Sequence, residues 1–178
     1  MNKAKSLAVF TFTLILLSSV FANALSVKSL SLKQIIGFSS VVFRGEATNV
    51  AVADDDQESH QLVKYYTFKV TECLKGDCGE TITFKQIVLG KNGLPDYDIG
   101  KQYVLFLPEA SENTGLLAPV GIWQGRYELR EEAGHLVVPA LKKNKATLKT
   151  LGLSTDKGVN AIDVSGYEVF KQEILNNL

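Results

Sequence analysis

The chain is 178 residues long, its 19 Lys and Arg balance 19 Asp and Glu, and 46% apolar with 21% charged residues is an ordinary globular composition, neither disordered nor collagen-like. This balance removes the electrostatic case for a nucleic-acid binder, which needs a basic face to neutralise phosphates.

The first two dozen residues stand apart. Lys3 and Lys5 precede an apolar run from Leu7 to Val20, and Ala22-Asn23-Ala24 has the small-x-small form of a cleavage site, so residues 1–24 are expected to be a secretory signal peptide. The run is shorter than the roughly 20 apolar residues of a spanning helix. With no second long apolar run, no membrane span is expected in the mature chain, and a periplasmic or secreted location follows. Cleavage after Ala24 leaves 154 residues with 17 basic and 19 acidic side chains. Residues 25–178 are expected to form one domain, burying about 68–70% of its unfolded surface.

The first element is a short helix opened by the capping box Ser31-Leu-Lys-Gln34, with Leu32, Ile35 and Ile36 toward the core. From Val41 the period changes to two and predicts a strand to about Val52, with Phe43, Gly45 and Ala47 on one face and Arg44, Glu46 and Thr48 on the other. After the acidic stretch Ala53–His60, Tyr66, Phe68 and Val70 alternate with Tyr65, Thr67 and Lys69, which predicts an antiparallel partner. A turn at Leu74–Gly79 leads to a third strand, Thr81–Gln86. The turn holds the only cysteines, Cys73 and Cys78. Export permits a disulfide between them, worth about 2 kcal/mol for so small a loop; the rival readings are two free thiols, a redox pair, though the spacing is not C-x-x-C, and half of a metal site, for which only His60 and His135 could add ligands.

Turn residues fill Leu89–Gly100, and Tyr103–Leu107 is apolar on both faces, as a central strand should be. Shorter strands are expected at Leu116–Ile122, Gly125–Arg130 and Leu136–Val138, with a hairpin turn at Gly134-His135. Residues 142–159 read as an extended connection with at most a helical turn near Ala146–Leu151. A final helix from about 165 is opened by Ser165-Gly-Tyr-Glu168 and carries an apolar stripe of Tyr167, Phe170, Ile174 and Leu178.

Candidate chemistry is sparse. The run Asp54-Asp55-Asp56-Gln57-Glu58 lacks the alternation and glycine of a calcium loop. His60 and His135 have no nucleophile motif around them, and Glu131-Glu132 are adjacent on a strand and point to opposite faces. No catalytic residue, no metal site and no cofactor is therefore expected. The binding candidates are Tyr65, Tyr97, Trp123 and Tyr127, whose rings offer a stacking face with a polar tip; the rival reading is that they fill the interior.

Three ordered pieces carry a resemblance: Val41-Val-Phe-Arg-Gly-Glu-Ala-Thr-Asn-Val50, Tyr66-Thr-Phe-Lys-Val-Thr-Glu-Cys-Leu-Lys-Gly76, and Tyr97-Asp-Ile-Gly-Lys-Gln-Tyr-Val-Leu-Phe-Leu107. Across residues 36–130 this resembles bacterial exported domains similar to the tissue inhibitors of metalloproteinases, of netrin-like OB fold. The resemblance implies a mainly β fold, a small antiparallel Greek-key, OB-like barrel of about five strands, with the short N-terminal helix and the C-terminal helix beside it. The animal inhibitors begin with a zinc-chelating cysteine, whereas the new N-terminus here is Leu25-Ser-Val-Lys, so their inhibitory mechanism does not carry over. The expectation is an exported, non-catalytic binding domain with a protein or cell-envelope component as partner; the alternatives are a hydrolase with a dispersed acidic site and a structural component of an envelope assembly. Cleavage is checked by intact mass: exported protein should lack residues 1–24, and mature material that keeps them refutes the signal.

Overall fold

A computed structural model describes residues 28–54, 61–89, 94, 96–142, 150–152 and 166–178. The signal segment, His60 with most of the acidic run, and Ser165 lie outside the described residues.

Helix α1 (Leu32–Gly37) starts as the capping box requires: the Ser31 hydroxyl accepts from the Gln34 amide, and the Gln34 side chain accepts from the Ser31 amide at 2.9 Å. Six strands follow: β1 (Val41–Asp54), β2 (Leu62–Lys75), β3 (Thr81–Ile87), β4 (Gln102–Leu107), β5 (Arg126–Glu132) and β6 (His135–Val137). Helices α2 (Pro139–Lys142) and α3 (Tyr167–Leu175) complete the set. The described strands form one antiparallel sheet in the order β3-β2-β1-β4-β5-β6. Among the described residues no pairing joins β3 to β6, so the sheet is not closed.

β4 divides the core. Tyr103, Leu105 and Leu107 point into one apolar cluster with Phe43, Ala47, Tyr66, Phe68, Phe84 and Tyr97, while Val104 and Phe106 point into the other. That second cluster lies beneath the helices and joins Val42, Leu74, Tyr127 and Leu129 to Leu32, Ile35 and Ile36 of α1 and Tyr167, Phe170 and Ile174 of α3. A strand sandwiched in this way has no polar face, which explains its unbroken apolar sequence.

β1 pairs with β2 along nearly its whole length but with β4 only from Val41 to Glu46. Its register slips at three places, including Arg44/Gly45 and Ala47/Asn49, and each slip bends the strand and increases its twist. Gly45 sits at the bend, where an added Cβ would lie 2.8 Å from the Lys69 carbonyl oxygen of β2 and 2.9 Å from the Phe43 ring. Only glycine fits there.

At the far end of β2 the cysteines are bonded, Cys73 to Cys78, with Cα atoms 5.8 Å apart. Between them Lys75 turns its ammonium to the Ile36 and Ser39 carbonyls, at 2.8 and 2.6 Å, and so ties the turn to the C-terminal end of α1.

Three expectations need correction, and one element was not expected. No strand forms over Leu116–Ile122: Leu116 makes a single parallel bridge to Lys85, and the chain then turns, because Pro119, Gly121 and Gly125 punctuate it. Helix α2 is an addition to the expected elements, opened by Pro139 because proline suits a first helical position; residues 143–149 and 153–159 of the expected extended connection lie outside the described residues. Gly166 is the N-cap of α3 and gives it no side-chain cap; its bridge to Val137 and the burial of Tyr167 locate the start instead. Leu178 lies beyond α3 and is exposed, so the stripe is Tyr167, Phe170 and Ile174.

Gly45→Val should force β1 away from β2. We expect a stability loss of about 1–3 kcal/mol or more in urea unfolding, the usual cost of overpacking; an unchanged midpoint would show that the bend does not require glycine.

Candidate functional site

The four aromatic candidates separate into two environments. Tyr97 and Tyr127 are only 4% and 5% exposed and belong to the core. Tyr97 is a hub: its ring meets Tyr66 at 4.7 Å, Phe68 at 5.1 Å, Tyr103 at 5.3 Å and Phe84 at 5.8 Å, all edge-on. Such pairs each add about 0.5–1.5 kcal/mol beyond burial. Tyr127 packs on Phe170 of α3 at 4.9 Å and on Phe106 at 5.8 Å. Tyr65 is half-buried on β2, opposite Ala51 and Lys85.

Trp123 is different, with 53% of its surface exposed. It rides on the turn between Val120 and Gly125, which is fastened to β4 by Val120 N–H to Phe106 O (2.9 Å) and Phe106 N–H to Gly125 O (2.9 Å), and is closed on itself by Gly125 N–H to Val120 O (2.8 Å). Two successive residues of the turn, Gly121 and Ile122, have φ of 64° and 70°. Glycine accepts that conformation freely, but a β-branched isoleucine does not, and residues so held cost on the order of 1–3 kcal/mol. The next residue but one secures the turn from outside: Gln124 accepts from the Leu30 amide at 2.7 Å and donates to the Lys28 carbonyl at 3.0 Å. An exposed indole thus stands on a turn pinned from both sides.

Two polar clusters that sequence reasoning missed lie elsewhere on the sheet. In the first, the Asp96 carboxylate accepts from Lys64 at 2.6 Å and from the Tyr66 hydroxyl, while Arg126 donates to the Asp96 carbonyl at 2.9 Å and lies over the Tyr97 and Tyr103 rings at 5.1 and 4.7 Å. Burial, reinforced by Asp96, pushes the Tyr66 hydroxyl up, so it keeps its proton and donates. The hydrogen bonds from Lys64 and Tyr66 hold the Asp96 carboxyl below its usual range.

In the second, Glu72 accepts from Tyr167 at 2.6 Å and Lys171 at 3.0 Å, and the Arg44 guanidinium lies 4.9 Å over the Tyr167 ring. Burial works against the Glu72 charge, but these two hydrogen bonds outweigh it and the carboxyl sits lower than usual. This cluster bolts α3 to β2. The strand period places Lys64 with Tyr66 and Glu72 opposite Arg44, but neither Asp96 nor Lys171 is near them in sequence, so no local signal could have found either group.

Among the described residues no three His, Cys, Asp or Glu side chains converge as a metal would need, and no helix is long and apolar enough to cross a membrane. His135 is exposed at the start of β6.

Both lowered carboxyls give stability that is full above their ordinary values of 3.8 and 4.5 and is lost as pH falls through the lower folded values. The melting temperature should therefore fall on acidification from about pH 5 to about pH 2. Asp96→Asn with Glu72→Gln should lower the plateau and flatten that fall; an unchanged acid limb would refute the assignment. The chain as a whole matches no protein-family model, and no curated protein matches it.

Proposed function

We propose that the chain is an exported, non-catalytic binding domain that contacts a protein or another cell-envelope component through the turn carrying Trp123. The observation that carries this reading is the exposed indole on its pinned turn. Tryptophan is the side chain most enriched among interface residues that dominate affinity, and a preorganised turn loses little freedom when it binds. The strained φ of Ile122 supports the same reading, because strain persists where the surroundings hold it for a purpose.

An OB-like barrel belongs to this proposal. The order β3-β2-β1-β4, with β4 returning beside β1, supports it, because a Greek key needs its fourth strand beside its first. The parallel Lys85–Leu116 bridge brings the segment after β4 against β3, the strand at the far edge of the sheet. The likeness to the netrin-like domains rests on this order and on the sequence pieces quoted above. The hydrolase alternative gains little from the carboxylates of the two clusters, whose oxygens already accept from Lys64, Tyr66, Tyr167 and Lys171.

The test is Trp123→Ala, with a partner captured from the exported fraction, purified and titrated against both forms. Affinity should drop by about 2 kcal/mol or more while thermal melts superimpose. Equal affinities would overturn the reading. So would a stability loss of about 3–5 kcal/mol without a binding defect, the mark of a core residue. Turnover of a peptide, glycan or ester that disappears with His135→Ala would overturn the non-catalytic assignment.

A further inference from the structure

Among the described residues the outer half of β1 has one strand neighbour where the inner half has two. β4 accompanies it from Val41 to Glu46, and Ala47 closes the ladder, with its N–H on the Lys101 carbonyl (3.0 Å) and its C=O accepting from Gly100 (2.8 Å). Beyond that point no described strand lies on this edge, although β2 continues along the other side to Asp54. Residues 48–52 are all exposed, Val50 by 40% and Val52 by 61%.

An edge of this kind presents a row of backbone donors and acceptors, so what fits it is another strand. Proteins that must stay apart blunt such edges with charge, proline or short length. The run Ala47-Thr-Asn-Val-Ala-Val-Ala53 has no charged residue, proline or glycine.

The sequence of the edge also names its partner. We infer that this edge of β1 pairs antiparallel with the same edge of a second copy of the chain, about a two-fold axis through Ala51. In that register Val50 of each copy faces Val52 of the other, Asn49 faces Ala53 and Thr48 faces Asp54. Four exposed valines then cover one another on a single face, the kind of cross-strand pair that stabilises sheets. The neighbouring registers are worse. Centring on Val52 sets Val50 against Asp54, and centring on Val50 sets Ala53 against Ala47, whose backbone groups are already taken by Lys101 and Gly100. The two-fold contact uses the same patch on both copies and closes after two, so it gives a dimer and not a fibre. It is independent of the Trp123 turn.

The experiment uses the exported chain itself. Sedimentation over a wide concentration range should show a reversible monomer–dimer equilibrium. Ala51→Cys should form a covalent dimer under mild oxidation far faster than the exposed control Glu112→Cys, because residue 51 faces its own copy across the axis. Ala51→Lys, which sets two lysines directly opposite, should weaken the dimer at least about tenfold with circular dichroism and Trp123-dependent binding unchanged. If that variant does not fold, Val52→Lys tests the same ladder. A chain that stays monomeric at millimolar concentration overturns the inference. So does a dimer that survives these lysines while Ala51→Cys crosslinks no faster than the control, an open-ended polymer, or an edge occupied only by the strand of a different protein.

Discussion

At Gly45 the β1 backbone passes so close to the Lys69 carbonyl that a single methyl group has no room. That close approach separates the molecule into two parts. Before it, β1 is an interior strand flanked by β2 and β4, with Val42 and Phe43 fully buried on opposite sides. A few residues beyond it, β1 and β2 continue as a ribbon bordered by β3, with no described strand on the other side of β1. A straight strand of this length would either need β4 to be equally long or leave the two faces of the sheet uncovered.

The two faces are closed by different means. One is sealed by helices, and an ion pair with its hydrogen bonds, Glu72 with Lys171 and Tyr167, fixes α3 to the strand it crosses. The other face carries Tyr97 among four other rings, and Arg126 of β5 holds the neighbouring backbone at the Asp96 carbonyl. Half-exposed ion pairs contribute little in water, so aromatic burial provides most of the cohesion and the charges set direction.

Much of the strand framework was legible because period two is a strong signal where one face is buried: β1, β2 and β3 begin within a few residues of their expected places, and the double-sided burial of β4 was visible in Tyr103–Leu107. The box at Ser31 was equally readable, since both of its hydrogen bonds are local. The aromatic assignments were less accessible. Tyr127 alternates with Leu129 on β5, and that spacing does point to the core. Tyr97 lies among turn residues with no period to betray it, and its burial depends on strands β2, β3 and β4 arriving from elsewhere. The exposure of Trp123 rests on the φ values of the two residues before it, which a glycine suggests at 121 but an isoleucine conceals at 122.

Gln124 has a practical corollary. Its amide imitates a passing strand, holding Lys28 and Leu30 at the same turn that displays Trp123. A fusion or affinity handle attached close to Lys28 would therefore tug on the turn under study. The opposite terminus leaves from α3, which packs under the sheet on Phe106 and Tyr127. Immobilisation through that end would leave the two backbone clasps of the turn undisturbed, and comparing the two attachment points would reveal how far the leading segment tunes the loop it touches.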